Sequence, residues 1–393
     1  ERLVARGALG TADRIALGFT AGVTLEGRLR VFSSVLEEVK RASPDLAKLT
    51  ELEADTYRDG HFSTYFAGRG LMTVFIDGTE RSPTFRLALL DTTEQPQRRS
   101  WFQVWTPGKD GREAWHGLLG RTFRGLNAEL YETPFSTRID DAYLRSAALT
   151  SLKNAGDEQQ DLYDFSFSDA SIRRTGPTAG DLGVIIAIDD ESTSLAPDGQ
   201  SEFDTFAKLF EGAGAKLGLI VVGTGADLTW RGAASSAPIV QVRVGNADDP
   251  FRVDQNIALK ILLNAHSTAV MTRLGKVVGN TMTNVSPSNL KLIGRATHLI
   301  KLHVDDVLRS EHWIARHGEH NPIAYSDSNA VLFDVISYVH DKRASGDQSA
   351  SEVALSIVRI LESLRSKRRI SLDEAFGVLN TRGLNGYLAM VRL

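Results

Sequence analysis

The sequence predicts an α/β protein built on a parallel sheet with helices on both faces, and three observations carry that expectation. First, Leu182–Ile188 is a continuous apolar run of the kind found in strands buried on both sides. Second, it is followed by a helical pattern over Phe203–Ala213, a second apolar run at Leu217–Val222 and a third at Pro238–Val244. Strands alternating with helices at this spacing make a parallel sheet, and ligands of such sheets sit at the strands' carboxyl ends. Third, along the long stretch Ala258–Ile300, the residues from Ile257 to about Asn284 are apolar or small on nearly every face, which predicts a helix there buried on most sides. At a rise of 1.5 Å per residue that helix would run roughly 40 Å. Ser286-Pro287 then predicts an N-cap and a second helix, the pair forming a core shared between subunits or with another domain.

The other elements follow in order. Residues 1–60 are mostly helical in pattern, with Thr11 as a cap and Glu26–Lys40 carrying apolar residues at helical spacing. His61–Gly68, Leu71–Asp77, Thr84–Leu90 and Ser100–Trp105 are β-rich runs. A helix is expected within Asp140–Lys153, and residues 173–181 form a turn-rich connection. Residues 301–345 are polar and mixed, and Ala350–Arg365 is helical. Ser371-Leu372-Asp373-Glu374 is a capping box that opens a further helix. Gly383 breaks the pattern before a last helix over Leu384–Val391. The expected division is 1–60 as a helical N-terminal segment, 61–300 as the α/β domain with the long helix, and 301–393 as a helical lid or tail.

Bulk composition limits the function classes. The 393 residues carry 45 Lys and Arg against 49 Asp and Glu, a formal net charge of −4, which argues against a nucleic-acid or anionic-membrane surface. Without cysteine there is no disulfide framework and no thiolate metal site. Lys260, Arg273 and Lys276 interrupt the long apolar stretch, so it is not read as a membrane span. The composition fits a cytoplasmic protein. The chain opens on Glu1 rather than methionine, so a preceding segment is expected.

The stretch Arg273–Ala296 carries Leu274-Gly275-Lys276, Gly279-Asn280, Asn289 with Lys291-Leu292, and Arg295-Ala296. At these spacings it resembles the N-acetylmuramic acid 6-phosphate etherases and the related glucokinase regulatory proteins. Upstream, Phe66–Phe85 resembles the first sugar-isomerase (SIS) strand, turn and acidic motif of that group, with Asp77, Glu80 and Pro83-Thr84-Phe85 in order. The resemblance implies a three-layer αβα SIS fold with a five-stranded parallel sheet and helical N- and C-terminal segments. It implies a phosphosugar ligand and no metal or cofactor, with Glu80 as the acid that cleaves a lactyl ether. The ligand set it suggests is Gly68, Arg69, Gly70, Thr84, Ser192, Thr193, Arg252 and Lys276. It also implies a homodimer or a tandem-SIS pseudo-dimer, with residues 301–393 as a surface for a protein partner.

The sequence departs from the etherase pattern at the site. Where the etherases place a serine-glycine-arginine-threonine turn that cradles phosphate, this chain has Asp189-Asp190-Glu191-Ser192. Arg252 survives before the long helix, but the lysine two positions on is Asp254, and 86–130 holds no counterpart of the etherases' second glutamate segment. This pattern, with Asp164–Ser168 ahead of the strand, resembles the degenerate second SIS domain of the regulators, and the chain is accordingly read as a fragment or descendant of a tandem protein.

Two readings stand at each candidate. Glu80 is a general acid, which needs burial, or a residue inherited with the fold. Gly68-Arg69-Gly70 presents amides and a guanidinium to an anion, or is only a tight turn. Asp189-Asp190-Glu191 is a cation site or a solvated loop that has lost phosphate. Lys276 and Asn280, one turn apart on the expected helix, reach a ligand or satisfy one another. His312, His317 and His320 lack the HExxH spacing and are expected on a polar surface loop. The expected function is that of a non-catalytic carbohydrate-phosphate-binding or regulatory protein. The alternatives are an etherase-like lyase or other phosphosugar lyase or isomerase using Glu80, and a protein-interaction scaffold.

Overall fold

The computed structural model describes residues 25–88, 90–195, 201–224, 237–245, 252–344 and 351–392; Thr11, Gly225 and Pro250-Phe251 lie outside them. The described residues form two compact units. One comprises those up to Thr79, within Ala88–Ala128 and within Asn154–Val270; the other comprises those within Glu80–Leu87, within Glu129–Lys153 and from Met271 onward.

The first unit holds the expected sheet. Its strands are β1 (Ser63–Ala67), β2 (Phe102–Trp105), β3 (Leu182–Ile188), β4 (Lys216–Val222) and β5 (Ile239–Val242). All pairings are parallel, in the order β2-β1-β3-β4-β5. β3 occupies the run read from the sequence, and every residue of it is buried. Alternation along the strands feeds two apolar layers. Tyr65, Val104, Val184, Ile186 and Ile220 pack with Leu49, Leu71, Trp115 and Leu262 on one face. Phe66, Trp105, Ile185 and Leu219 pack with Phe203, Phe206 and Phe210 on the other. The result is a three-layer α/β arrangement.

A buried polar cluster fastens the first layer to the sheet. Glu53, on the Ser43–Arg58 helix, accepts from Tyr65 Oη at 2.6 Å and Ser63 Oγ at 3.1 Å, and also bonds Tyr57 and His266. Thr50 Oγ1 lies 2.9 Å from His266 Nδ1. Glu53 and His266 are fully buried.

Three local expectations are corrected. Leu71–Asp77 is not a strand but the start of a helix, Leu71–Phe85, which also takes up the first residues of Thr84–Leu90. Short apolar runs do not distinguish the two periods. Here the buried positions Leu71, Val74, Gly78, Arg81 and Phe85 recur at three- and four-residue spacing, while Met72, Ile76 and Glu80 are exposed. Second, the long helix covers Val253–Arg273 and stops there. Gly275, at φ +71°, lets Gly275 and Lys276 return their amides to Thr272 O and Met271 O at 3.0 and 2.9 Å. Val277–Val278 and Thr281–Met282 then pair as an antiparallel hairpin, β6 and β7, around Gly279 at φ +59°. Small residues and glycine preceding β-branched ones mark a turn and hairpin, not a thin helix. Third, the next helix, Leu290–Leu308, is capped by Asn289, which accepts from Leu292 N at 3.0 Å, rather than by Ser286.

The second unit is a helical assembly. The helices Leu290–Leu308, Tyr325–Ala344, Glu352–Ser366 and Leu372–Arg392 share a core of Ile300, Val304, Leu332, Val335, Leu355, Val358, Leu361 and Tyr387. Of residues 301–345, expected to be mixed, the described part, 301–344, is mostly helical. The capping box is present: Glu374 N donates to Ser371 Oγ at 3.1 Å and Ser371 N to Glu374 Oε2 at 2.8 Å. Gly383, at φ 63° and ψ 169°, kinks the last helix where a break was expected.

Candidate anion-binding site

At their carboxyl ends β1 and β3, which are neighbours, run into Gly68-Arg69-Gly70 and Asp189-Asp190-Glu191. In a 2-1-3-4-5 sheet this is the point where strand order reverses, and the crevice there is where open α/β sheets take ligands. The donors are in place. The amides of Arg69 and Ile188 point to one spot, from the end of each strand. They donate to Glu191, to Oε1 at 2.8 Å and to Oε2 at 2.9 Å respectively. Gly68 is needed for this approach: a Cβ there would stand 2.3 Å from Glu191 Oε1.

The surrounding charges are tied to one another. Arg69 Nη2 donates to Asp190 Oδ2 at 2.9 Å. Arg252 Nε donates to Asp189 Oδ2 at 3.0 Å, and Gln255 Nε2 reaches the same oxygen at 3.1 Å. Asp189 and Arg252 both hold left-handed backbone, at φ 52° and 51°. That conformation costs a non-glycine residue roughly 1–2 kcal/mol. Burial raises the Glu191 carboxyl above its usual range; the amides of Ile188 and Arg69, and then the Arg69 and Arg252 charges, act against the rise. Asp189 and Glu191 are partly buried, while Asp190 stays exposed. Each is bonded to a cation or to backbone amides.

The candidate residues divide between the units. Gly68, Arg69, Gly70, Ser192, Thr193 and Arg252 belong to the first. Ser192 Oγ turns back to Asp189 O at 2.5 Å. Glu80, Thr84 and Lys276 belong to the second. Glu80 is exposed, whereas the general-acid reading requires burial. Lys276 and Asn280 flank and enter the hairpin and are not on a helix. Among the described residues no group of His, Asp or Glu is placed to hold a metal; His312 and His317 lie on the Glu311–His317 helix, with Trp313 against the His317 ring at 4.6 Å.

Lys276 lines a cavity of about 340 Å³ inside the second unit, with Thr283, Asn284, Ser351, Arg382 and Asn385, and among the described residues no Asp or Glu lies on its wall. Among the described residues its ammonium makes no hydrogen bond or ion pair. Burial lowers its pKa from the ordinary 10.5. The folded state therefore binds this proton less tightly than the unfolded chain. The penalty is present in full below the folded pKa and disappears as pH rises toward 10.5. Lys276→Met is expected to raise Tm at pH 7 and to lose that advantage as pH climbs, which thermal melts at several pH values check.

Sequence reasoning missed the role of Glu191. The signal was present: an acid three residues beyond Ile188 has the spacing at which a side chain reaches back to a backbone amide.

No family model matches the chain. Local similarity is found to several bacterial etherases. The N-acetylmuramic acid 6-phosphate etherase of Parasynechococcus marenigrum (strain WH8102) is 50% identical over 50 residues, 13% of this chain and 16% of that protein. N-acetylmuramic acid 6-phosphate etherase 1 of Enterococcus faecalis (strain ATCC 700802 / V583) is 43% identical over 65 residues, 16% of this chain and 21% of the relative. That of Bacteroides thetaiotaomicron is 46% identical over 56 residues, 14% and 20% of the two chains. The similarity of this chain to the etherases is local. The matches thus span about a fifth or less of the relatives' own length. Among the described residues no helix is long and apolar enough to cross a membrane.

Proposed function

We propose that the chain is a non-catalytic, carbohydrate-phosphate-binding or regulatory protein with an SIS-type domain of the etherase and glucokinase-regulator group. The observation that carries this reading is the Glu191 carboxylate on the Arg69 and Ile188 amides, in the crevice where such a sheet would take a phosphate. An enzyme acting on a phosphosugar needs that crevice to hold its substrate in a reactive pose. The exposure of Glu80 points the same way. Assembly as a homodimer or tandem pseudo-dimer, and a protein partner on 301–393, belong to the same proposal.

A second reading is favoured by the etherase-like stretch and by the Asp77-to-Phe85 motif: an etherase-like lyase with Glu80 as acid. Calorimetry with hexose 6-phosphates and N-acetylmuramic acid 6-phosphate tests the first reading, which expects binding of at least one of them without turnover. Absence of any heat or thermal shift across the series counts against it.

A further inference from the structure

We propose that Glu191 is a resident anion: its carboxylate closes an oxyanion cradle at the ends of β1 and β3, and a free phosphate or phosphate ester enters only when that carboxylate leaves. The inference deepens the non-catalytic reading by naming what shuts the crevice.

The geometry is that of a ligand site already filled. The amide of Ile188, the last residue of β3, and that of Arg69, in the turn after β1, converge on one carboxyl group, each on its own oxygen, at 2.9 and 2.8 Å. Backbone amides held in this way are donors in place before any ligand arrives, and two of them on one oxyanion make a charge-assisted pair. Arg69 and Arg252 stand beside the cradle. The place is the topological switch point of the sheet, β1 and β3 diverging to opposite halves of the order β2-β1-β3-β4-β5. The side chain that fills it sits on the seven-residue 3-10 segment Asp189–Leu195, so removing it leaves both strands untouched.

Charge explains why the cradle is closed to outside anions. With Glu191 in place an entering dianion meets Asp189, Asp190 and Glu191 against two guanidinium groups that already have partners. Taking away Glu191 removes the carboxylate that competes for the amides. Replacing Asp190 as well frees the Arg69 fork.

The test uses the full chain and four forms: wild type, Glu191→Ala, Glu191→Ala with Asp190→Asn, and that double variant with Arg69→Ala added. Each is titrated by calorimetry and thermal shift with inorganic phosphate, sulfate and glucose 6-phosphate. The expected result is weak binding of glucose 6-phosphate to wild type, because Glu191 must first leave the amides, about tenfold tighter binding to Glu191→Ala, and an affinity about tenfold higher again in the double variant. The triple variant loses it. Binding of phosphate and the sugar phosphate alike identifies the oxyanion as what the cradle reads; binding of the sugar phosphate only assigns the site to the ester. The proposal is overturned if the double variant melts cooperatively yet binds none of the three, or if wild type binds them as tightly. Lactate release is a separate readout, so this inference and the non-catalytic reading can fail independently.

Discussion

Replacing Glu53 with alanine is expected to destabilise the first unit by about 3–5 kcal/mol, because several buried hydrogen-bonding groups lose a shared partner at about 1–3 kcal/mol apiece. The carboxylate accepts from Tyr65, Ser63 and Tyr57 and meets His266, all in a fully buried pocket. Alanine leaves three hydroxyls and an imidazole without their shared acceptor, in a place water does not reach. For a unit of this size that is a Tm loss on the order of 10 °C. Three elements meet at Glu53, the Ser43–Arg58 helix, β1 and the Val253–Arg273 helix, so the loss is expected as one cooperative transition rather than local fraying. His266→Ala acts on the same network. The double variant is expected to cost less than the sum of the singles, with a coupling of roughly 0.5–3 kcal/mol. Urea titration of the four forms measures it.

The second unit has its own buried ion pair. Arg86 Nη1 lies 3.3 Å from Glu352 Oε2, with the side chains 7% and 4% exposed. Arg86 follows the Leu71–Phe85 helix at φ 55°, a position glycine usually takes. Glu352 occupies the first turn of Glu352–Ser366, where the helix dipole favours a carboxylate. Glu352→Ala removes one partner of a buried guanidinium, and a loss of about 3–5 kcal/mol is expected. A conservative Glu352→Gln keeps the shape and a carbonyl acceptor and is expected to recover part of that loss. Equal effects of both changes would mean that packing rather than charge holds this joint.

Much of the sheet was legible in the sequence, and the reason is physical. β3 and β4 are buried on both faces, so their apolar runs are continuous and bounded by turns. The helix at Leu71–Phe85 was not legible as such, because seven apolar or small residues fit either period until the buried set extends to Phe85. The overlong helix failed at Gly275 and Gly279, where positive φ mattered more than small size. At the site, the turns at Gly68–Gly70 and Asp189–Glu191 were both singled out. What was hidden is the pairing across 122 residues of sequence, Arg69 N to Glu191 Oε1, which only strand adjacency brings about. A count of charges does not tell that Asp189 and Glu191 are partly buried and bonded, one to Arg252 and the other to two backbone amides.

The chain shares local sequence with the etherases, and the non-catalytic proposal is tested most directly by an enzymatic assay for lactate released from N-acetylmuramic acid 6-phosphate by the wild-type chain, run beside Glu80→Gln. No release above buffer is expected from either form. Sustained release by wild type that Glu80→Gln abolishes would establish the lyase reading instead.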